Sequence, residues 1–522
     1  MSFRTVCRRV ALILFCFCVL NSVAAGACEI PAGTSLWIRL SSPVSSYFSK
    51  AGSEIHAVLI DDVTCNEAVA VPAGTTVDGH VASVRKVGWG FRHETASLKL
   101  NFDQLRPEDA SPIDITTRLL DVENSRETVK NGVILGIRST DTPQGTINSR
   151  LKHLPTWNPY TDKFLLAYKV AFPIFPEPEI WYGAGTDLRM ELVHPLDVEN
   201  AIPIAAPVET TEEQGLDTVI ERSPERVFTL NEKNADVVNL AFWGSRQQVQ
   251  SAFLAAGWVG SDRLSKMSFL REFRAFLAHS GYPTAPMRPM LLNDALPDML
   301  WQKSLNTYSK RDHVRIWESS TAVYGTPVWI GAATHDEGAT LSLRNKRFVH
   351  HIDPQIDDER AKIVRDLRAV GCVQSVSFVS RPDLPSHMLN ATGDPLQTDS
   401  RVALIELKDC PSPEVALTPT TKFKPGNIAF RYVRRQILTF RSDIWRANVV
   451  YGAYDLVRLV GHAVHSQQGP SPVVHVTAVP PQSDHDASKD DSPERTRQEP
   501  EPSSRATMLT SIGEDFPMFC GE

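Results

Sequence analysis

Between residues 28 and 195 apolar and polar positions alternate in short runs, the period-2 pattern of strands with one buried face. SLWIRL, HAVLIDDV, HVASVRKVGWG, SLKLNFDQL and DITTRLLDV all read this way. One phrase recurs ahead of such runs: Pro31-Ala32-Gly33-Thr34, Pro72-Ala73-Gly74-Thr75 and the variant Gly183-Ala184-Gly185-Thr186. Proline presets a turn and glycine supplies a positive φ, so the first two copies are placed to launch strands. The expected closure over 28–195 is an all-β barrel or sandwich.

Further on the period changes. Residues 236–243 (DVVNLAFW) read as a strand. Ser245 and Gln248 then stand at capping-box spacing, Val249, Ala252, Phe253 and Ala256 share a helical face, and Gly257 is placed to end the helix. A proline-rich loop covers 282–297. Strands are expected at 313–318, 327–334, 347–352, 373–380 and 402–407. A helix over 354–370 buries Ile356, Ile363, Val364 and Leu367. Residues 226–412 therefore read as an α+β sandwich domain with helices on one face of the sheet.

The remaining stretches are connectors and extensions. Residues 196–225, acidic and punctuated by proline, read as a linker. Helical periodicity returns over 424–466 with Arg431, Arg434, Arg435, Arg441, Arg446 and Arg458 along it. That basic amphipathic segment is too charged to span a bilayer; it suits an anionic membrane surface or a docking face on another helix. Residues 467–522, rich in proline, serine and acids, read as a disordered tail. The aromatic- and proline-rich stretch 151–182 either packs over the open end of the barrel or touches membrane or partner as an exposed loop.

At 522 residues more than one domain is expected, and a net charge of −7 with no basic domain-wide patch gives no reason to expect nucleic acid. Residues 1–27 read as a signal peptide. Arg4, Arg8 and Arg9 precede an apolar core over 10–20, and Ala25-Gly26-Ala27 forms a small-residue cleavage site. The expected localisation is export, to the periplasm or in association with the outer membrane. Cys28, at the junction, is either the start of the β domain or a lipidated first residue. Export permits disulfides, and Cys28 and Cys65 bracket the first β-unit as the expected pair. Cys372, between a helix-ending glycine and an apolar strand, reads as a buried core thiol.

Candidate chemistry concentrates in RDHVRIWE (311–318), TPVWIGAATHD (326–336) and RFVHHIDPQIDDER (347–360). Strand alternation puts His313, Arg315 and Trp317 on one face. With Arg360 they form a candidate ligand surface, guanidinium gripping carboxylate or phosphate and indole stacking. The alternative is a covered sheet in which Arg315 pairs with Asp353 or Glu359. His350 and His351 point to opposite faces. His335, Asp336, His350 and Asp353 are candidate ligands for a divalent metal, zinc or manganese. Asp353, just before Pro354, also fits a helix N-cap. His313, His335, Asp336 and His351 are the catalytic candidates, a His/Asp pair acting as general base on water. No G-x-S-x-G elbow and no glycine-rich phosphate loop accompanies them.

The phrases R-D-H-V-R-I-W, P-V-W-I-G-A-A-T-H-D and H-H-I-D-P-x-I-D-x-E-R, preceded by FWGS and AGW, resemble the C-terminal domain of LssY-type proteins over about 230–380. That resemblance implies a module that other members join to membrane segments, some like phosphatidic-acid phosphatases, and an association with type I secretion. It implies no reaction. The turn-and-strand phrases of 28–195 resemble envelope β-barrel domains of the VirB10/TrbI type. The resulting expectation is an exported cell-envelope protein, a binding or scaffolding component whose partner is an envelope protein or an anionic ligand. Peripheral membrane contact is a further expectation, and a metal-assisted phosphoester or acyl hydrolase is the alternative.

Overall fold

The strand-launching phrases fold into one recurring turn. Gly33, Gly74 and Gly185 take φ of 85°, 91° and 87°, a region that a Cβ disfavours. Thr34, Thr75 and Thr186 each fold the hydroxyl back to donate to the carbonyl three residues earlier, at 2.7, 2.7 and 2.8 Å. The structure is a computed structural model and describes residues 28–66, 68–108, 111–138, 177–199, 201–203, 211–342 and 347–411. Isolated residues at 142–143, 163–164 and within 426–438 are also described. The leader, most of the aromatic-proline stretch, most of the basic segment and the tail lie outside the described residues.

The launched strands enter a nine-stranded sheet in the order Thr117–Val122, Asp187–Leu192, Ser35–Leu40, Glu54–Leu59, Thr76–Arg85, Ser97–Arg106, Val133–Leu135, Thr128–Lys130. Ile113–Asp114 pairs beside Ser97–Arg106. The first and last strands of this order are consecutive in the chain, so the sheet is a nearly closed barrel. Ile38, Leu40, Ala57, Val77, Leu98 and Leu188 fill its core.

A second, eight-stranded sheet runs Val259–Gly260, Met299–Lys303, Arg311–Val323, Thr326–Ser342, Leu240–Trp243, Arg401–Leu407, Val373–Ser380, with Arg347–Ile352 paired to Thr326–Ser342. Helices Arg246–Ala255 and Ile356–Ala369 cover one face, packing Phe253, Ile363 and Leu367 on Val314, Ile316 and Trp329. The capping box forms as expected: the Ser245 side chain accepts from the Gln248 amide, and the Gln248 side chain caps the Ser245 amide. Helices were expected on one face only. The other face carries helix Thr211–Arg222, whose Leu216 and Ile220 pack against Trp317, Val328 and Leu404. It lies in the stretch whose acidic composition suggested a linker; the four-residue spacing of Leu216 and Ile220 is its helical signal. A further helix, Lys266–Leu277, starts at the capping pair Ser265 and Ser268.

Two disulfides staple the chain, consistent with an exported protein. Cys28–Cys65 is the expected pair. Cys372 is buried, but it is bonded to Cys410 rather than left as a thiol, because the strand after it turns back beside Arg401–Leu407. Of the basic segment, Arg434 is buried against the barrel side. It donates to the Gly88 carbonyl at 2.7 Å and to Glu177 at 2.6 Å, while Phe430 meets Trp89 edge-on.

Barrel and second sheet meet through buried charge. Arg39 bonds Asp187 at 2.6 Å and reaches across to Asp366 at 2.9 Å. Lys303 bridges the same two carboxylates at 3.0 Å each. Lys362 meets Glu123 at 2.7 Å and Asp366 at 3.3 Å, and Asn124 donates to Asp312 at 2.6 Å. The indole N–H of Trp258 completes Asp366 at 3.0 Å. Burial raises the pKa of Asp187 and Asp366, but Arg39, Lys303 and Lys362 outweigh it and hold both below the usual carboxylate range.

Three outcomes follow from these charge links and the disulfides. Asp366→Asn leaves buried cations without their shared partner and costs about 3–5 kcal/mol of stability in denaturant unfolding; a loss under 1 kcal/mol refutes the arrangement. Because both carboxylates are depressed, their stabilisation is complete above about pH 4, the ordinary aspartate value, and is lost as pH falls below it. Replacing Cys372 and Cys410 together by alanine removes a cross-link and lowers stability by about 3–4 kcal/mol in the same assay.

Candidate functional site

The site grows from one hairpin. Strands Arg311–Val323 and Thr326–Ser342 pair antiparallel with Arg311 opposite Asp336, Asp312 opposite His335 and His313 opposite Thr334. Alternation then sends Arg311, His313, Arg315, Thr334 and Asp336 to one face, and Asp312, Val314, Ala333 and His335 to the other. His335 and Asp336, adjacent in sequence and both candidate ligands of one metal, therefore face apart.

On the first face lies a cleft of about 530 Å³. Its wall carries Asp236, Tyr308, Arg311, His313, Arg315, Asp336 and His350. Asp336 is the hub: Nδ1 of His350 lies 2.9 Å from its Oδ2, Arg311 at 3.5 Å and Nδ1 of His313 at 3.6 Å. Nε2 of His350 faces the Tyr308 hydroxyl at 3.0 Å and accepts from Arg311 at 3.1 Å, which leaves the imidazole proton on the nitrogen facing Asp336. Burial raises Asp336, yet the His313 and His350 rings beside it, the hydrogen bond from His350 and the Arg311 charge together hold its pKa far below the carboxylate range. Burial, reinforced by Arg311, keeps both imidazoles below their usual value and hence neutral. Nε2 of His313 is buried and has no hydrogen-bond partner. Arg315 is held at 2.9 Å by Asp236 rather than by Asp353 or Glu359, because Asp236, within the strand Asn234–Val237, lines the same cleft.

The rim is apolar: Leu230, Leu264 and Phe269 are 60%, 64% and 44% exposed. Phe269 and Leu264 belong to or precede helix Lys266–Leu277, which the hydrophobic pattern had not singled out.

Several expected site residues stand elsewhere. Trp317 is buried under helix Thr211–Arg222, its indole N–H on the Ala295 carbonyl at 3.0 Å, so it packs as core instead of stacking on a ligand. Arg360 is buried and makes a bidentate pair with Asp399, both bonds 2.8 Å, because the chain brings the turn before Arg401–Leu407 over the helix. His351 is exposed on the face opposite His350 and bonds Asp394 at 3.1 Å. Asp353 does not cap the helix. Pro354 and Gln355 are drawn into pairing with Gln397, the helix starts at Ile356, and Asp353 accepts from the Gln355 amide at 2.8 Å.

The second face of the hairpin points to the barrel. His335 bonds Asp312 at 2.7 Å, and Glu359 comes down from the helix beside them. Burial lowers the His335 pKa, but the bond to Asp312 and its charge win and raise it to about 8. Burial, with repulsion from Asp312, pushes Glu359 well above the usual range. Asp312, Lys362 and Asp366 were not singled out from sequence. Their signal was present: Asp312 shares a strand face with Val314 and Ile316, and Glu359, Lys362 and Asp366 recur on the buried side of a helix.

Residues 220–402 match the family model described as LssY C-terminus. No curated protein matches the chain. Among solved structures, ComB10 of the Com type IV secretion system of Helicobacter pylori is 12% identical with a TM-score of 0.18, over 32% of this chain and 88% of that one.

The electrostatics predict two histidines of opposite character. At about pH 7, between the two sets of shifted values, imidazole nitrogen NMR of the full chain should show His335 protonated and His313 neutral, assigned with His335→Gln and His313→Gln. A protonated His313 there contradicts the site as described.

Proposed function

Taking residues 220–402 as a match to the LssY C-terminus family, we propose that the chain is an exported envelope protein whose cleft binds an anionic amphiphile. The carrying observation is the cleft's division of charge. Its lining includes Lys233, Arg288, Arg311 and Arg315 against Asp236, Glu272 and Asp336. Asp336 and Asp236 pair with Arg311 and Arg315 of the same lining. The lining's cations still outnumber its carboxylates, which favours a carboxylate or phosphate head, and the exposed Leu230, Leu264 and Phe269 offer an apolar chain a place at the rim. Export is supported by two disulfides, which persist in oxidising compartments, and by the leader-like N-terminus.

The hydrolase reading stands second. Its histidines do not converge: His335 sits on the barrel side, His351 on the outer surface, and only His313, His350 and Asp336 share the cleft. The unpartnered Nε2 of His313 is the one feature that favours it, as a neutral imidazole able to accept a proton or a hydrogen bond.

Calorimetric titration of the full chain with decanoate, decyl phosphate and, as a neutral control, decanol tests the binding reading. The two anions should bind at one shared site, about tenfold weaker after Lys233→Glu or Leu264→Glu, which both alter exposed rim positions. Equal binding of decanol, or no saturable binding of either anion, removes it.

A further inference from the structure

The geometry points to a divalent-cation site on the barrel side of the hairpin, made by Asp312, His335 and Glu359. These residues come from three segments: the two long strands and the first turn of helix Ile356–Ala369. One ligand atom from each lies within 4.8 Å of the other two.

A group of acids and a histidine is common without an ion, so the second observation matters. Glu359 is 3% exposed and its Oε1 has no hydrogen-bond partner. Every other carboxylate of the junction is compensated. Arg39 and Lys303 share Asp187 and Asp366, and Lys362 reaches Glu123, Asp366 and, at 3.7 Å, Asp312. Glu359 has no ion pair among the described residues. A buried carboxylate without a cation is costly. A divalent ion seated among the three side chains supplies the missing positive charge and gives Glu359 its partner.

The surroundings suit this role. Oδ1 of Asp312 faces His335, whereas Oδ2 accepts from Asn124 at 2.6 Å and faces Lys362. One oxygen is thus available for a metal while the other is held in place, as outer partners hold a ligating carboxylate. Two carboxylates with one imidazole suit zinc or manganese. The ion would tie both strands and the helix together beside Glu123 and Asn124 of the barrel, a structural role independent of the cleft. Of the metal ligands expected from sequence, only His335 belongs to it.

The test uses the full chain stripped with EDTA and then titrated with zinc or manganese alone. The expected result is about one equivalent bound, a rise in melting temperature, and at least tenfold weaker binding in Glu359→Gln. Because Oε1 of Glu359 has no partner to lose, that variant should fold at least as well as the parent without metal. His335→Gln should weaken binding likewise, whereas His350→Ala, in the cleft, should not. Absence of saturable binding by either metal overturns the proposal. So does unchanged affinity in a folded Glu359→Gln.

Discussion

Asp366 is the point on which the two halves of the molecule depend. Its carboxylate is fully buried and meets Arg39 from the barrel, Lys303 and Lys362 from the second sheet's own side, and the Trp258 indole. Each half carries its own pair, Arg39 with Asp187 in the barrel and Lys303 with Asp366 on the sheet side, and the meeting of the surfaces adds the cross pairs Arg39–Asp366 and Lys303–Asp187. Taking such groups from water is expensive, and removing one partner is more so than never having buried the set. The network therefore acts chiefly to specify one docking of barrel on sheet, and the hydrophobic cores on either side supply the bulk of the stability.

A single hairpin serves both this junction and the cleft. Strand alternation places Arg311, His313 and Arg315 on one side and Asp312, Val314 and Ile316 on the other. Asp336 and His335 are separated in the same way. The cleft thereby gathers neutral imidazoles around an ionised carboxylate, and the junction sets the imidazole of His335, raised by Asp312, beside a glutamate whose pKa burial pushes up. The opposite histidine states arise from partner geometry: His335 bonds one oxygen of Asp312 at 2.7 Å, whereas His313 stands 3.6 Å from an Asp336 oxygen that Arg311 and His350 also face.

Features that depend on near neighbours were legible. The Gly-Thr turns, the Ser245–Gln248 capping box, the Cys28–Cys65 pair and most strands of the second sheet, though not Val259–Gly260 or Met299–Lys303, follow from spacing within a few residues or one β-unit. What required distant partners was not. Arg315 finds Asp236, Arg360 finds Asp399, Cys372 finds Cys410, and Trp317 disappears beneath a helix read as linker. Asp353 has every local mark of a cap, and a pairing with Gln397 some 40 residues on moves the helix start past it.

By itself the sequence determined most of the strands, the helices that follow Ser245 and Pro354, which residue types crowd into one hairpin, and that a β-rich stretch precedes residues 220–402, which match the LssY C-terminus model. Periodicity and turn chemistry are short-range, so they are written in consecutive residues. Only the tertiary structure decided how that crowd divides: Asp336 with His313 and His350 in the cleft, His335 with Asp312 and Glu359 at the junction. The reason is that a side chain's charge state and partners are set by what packs across from it, and for these residues that lies on other strands, a helix and the barrel.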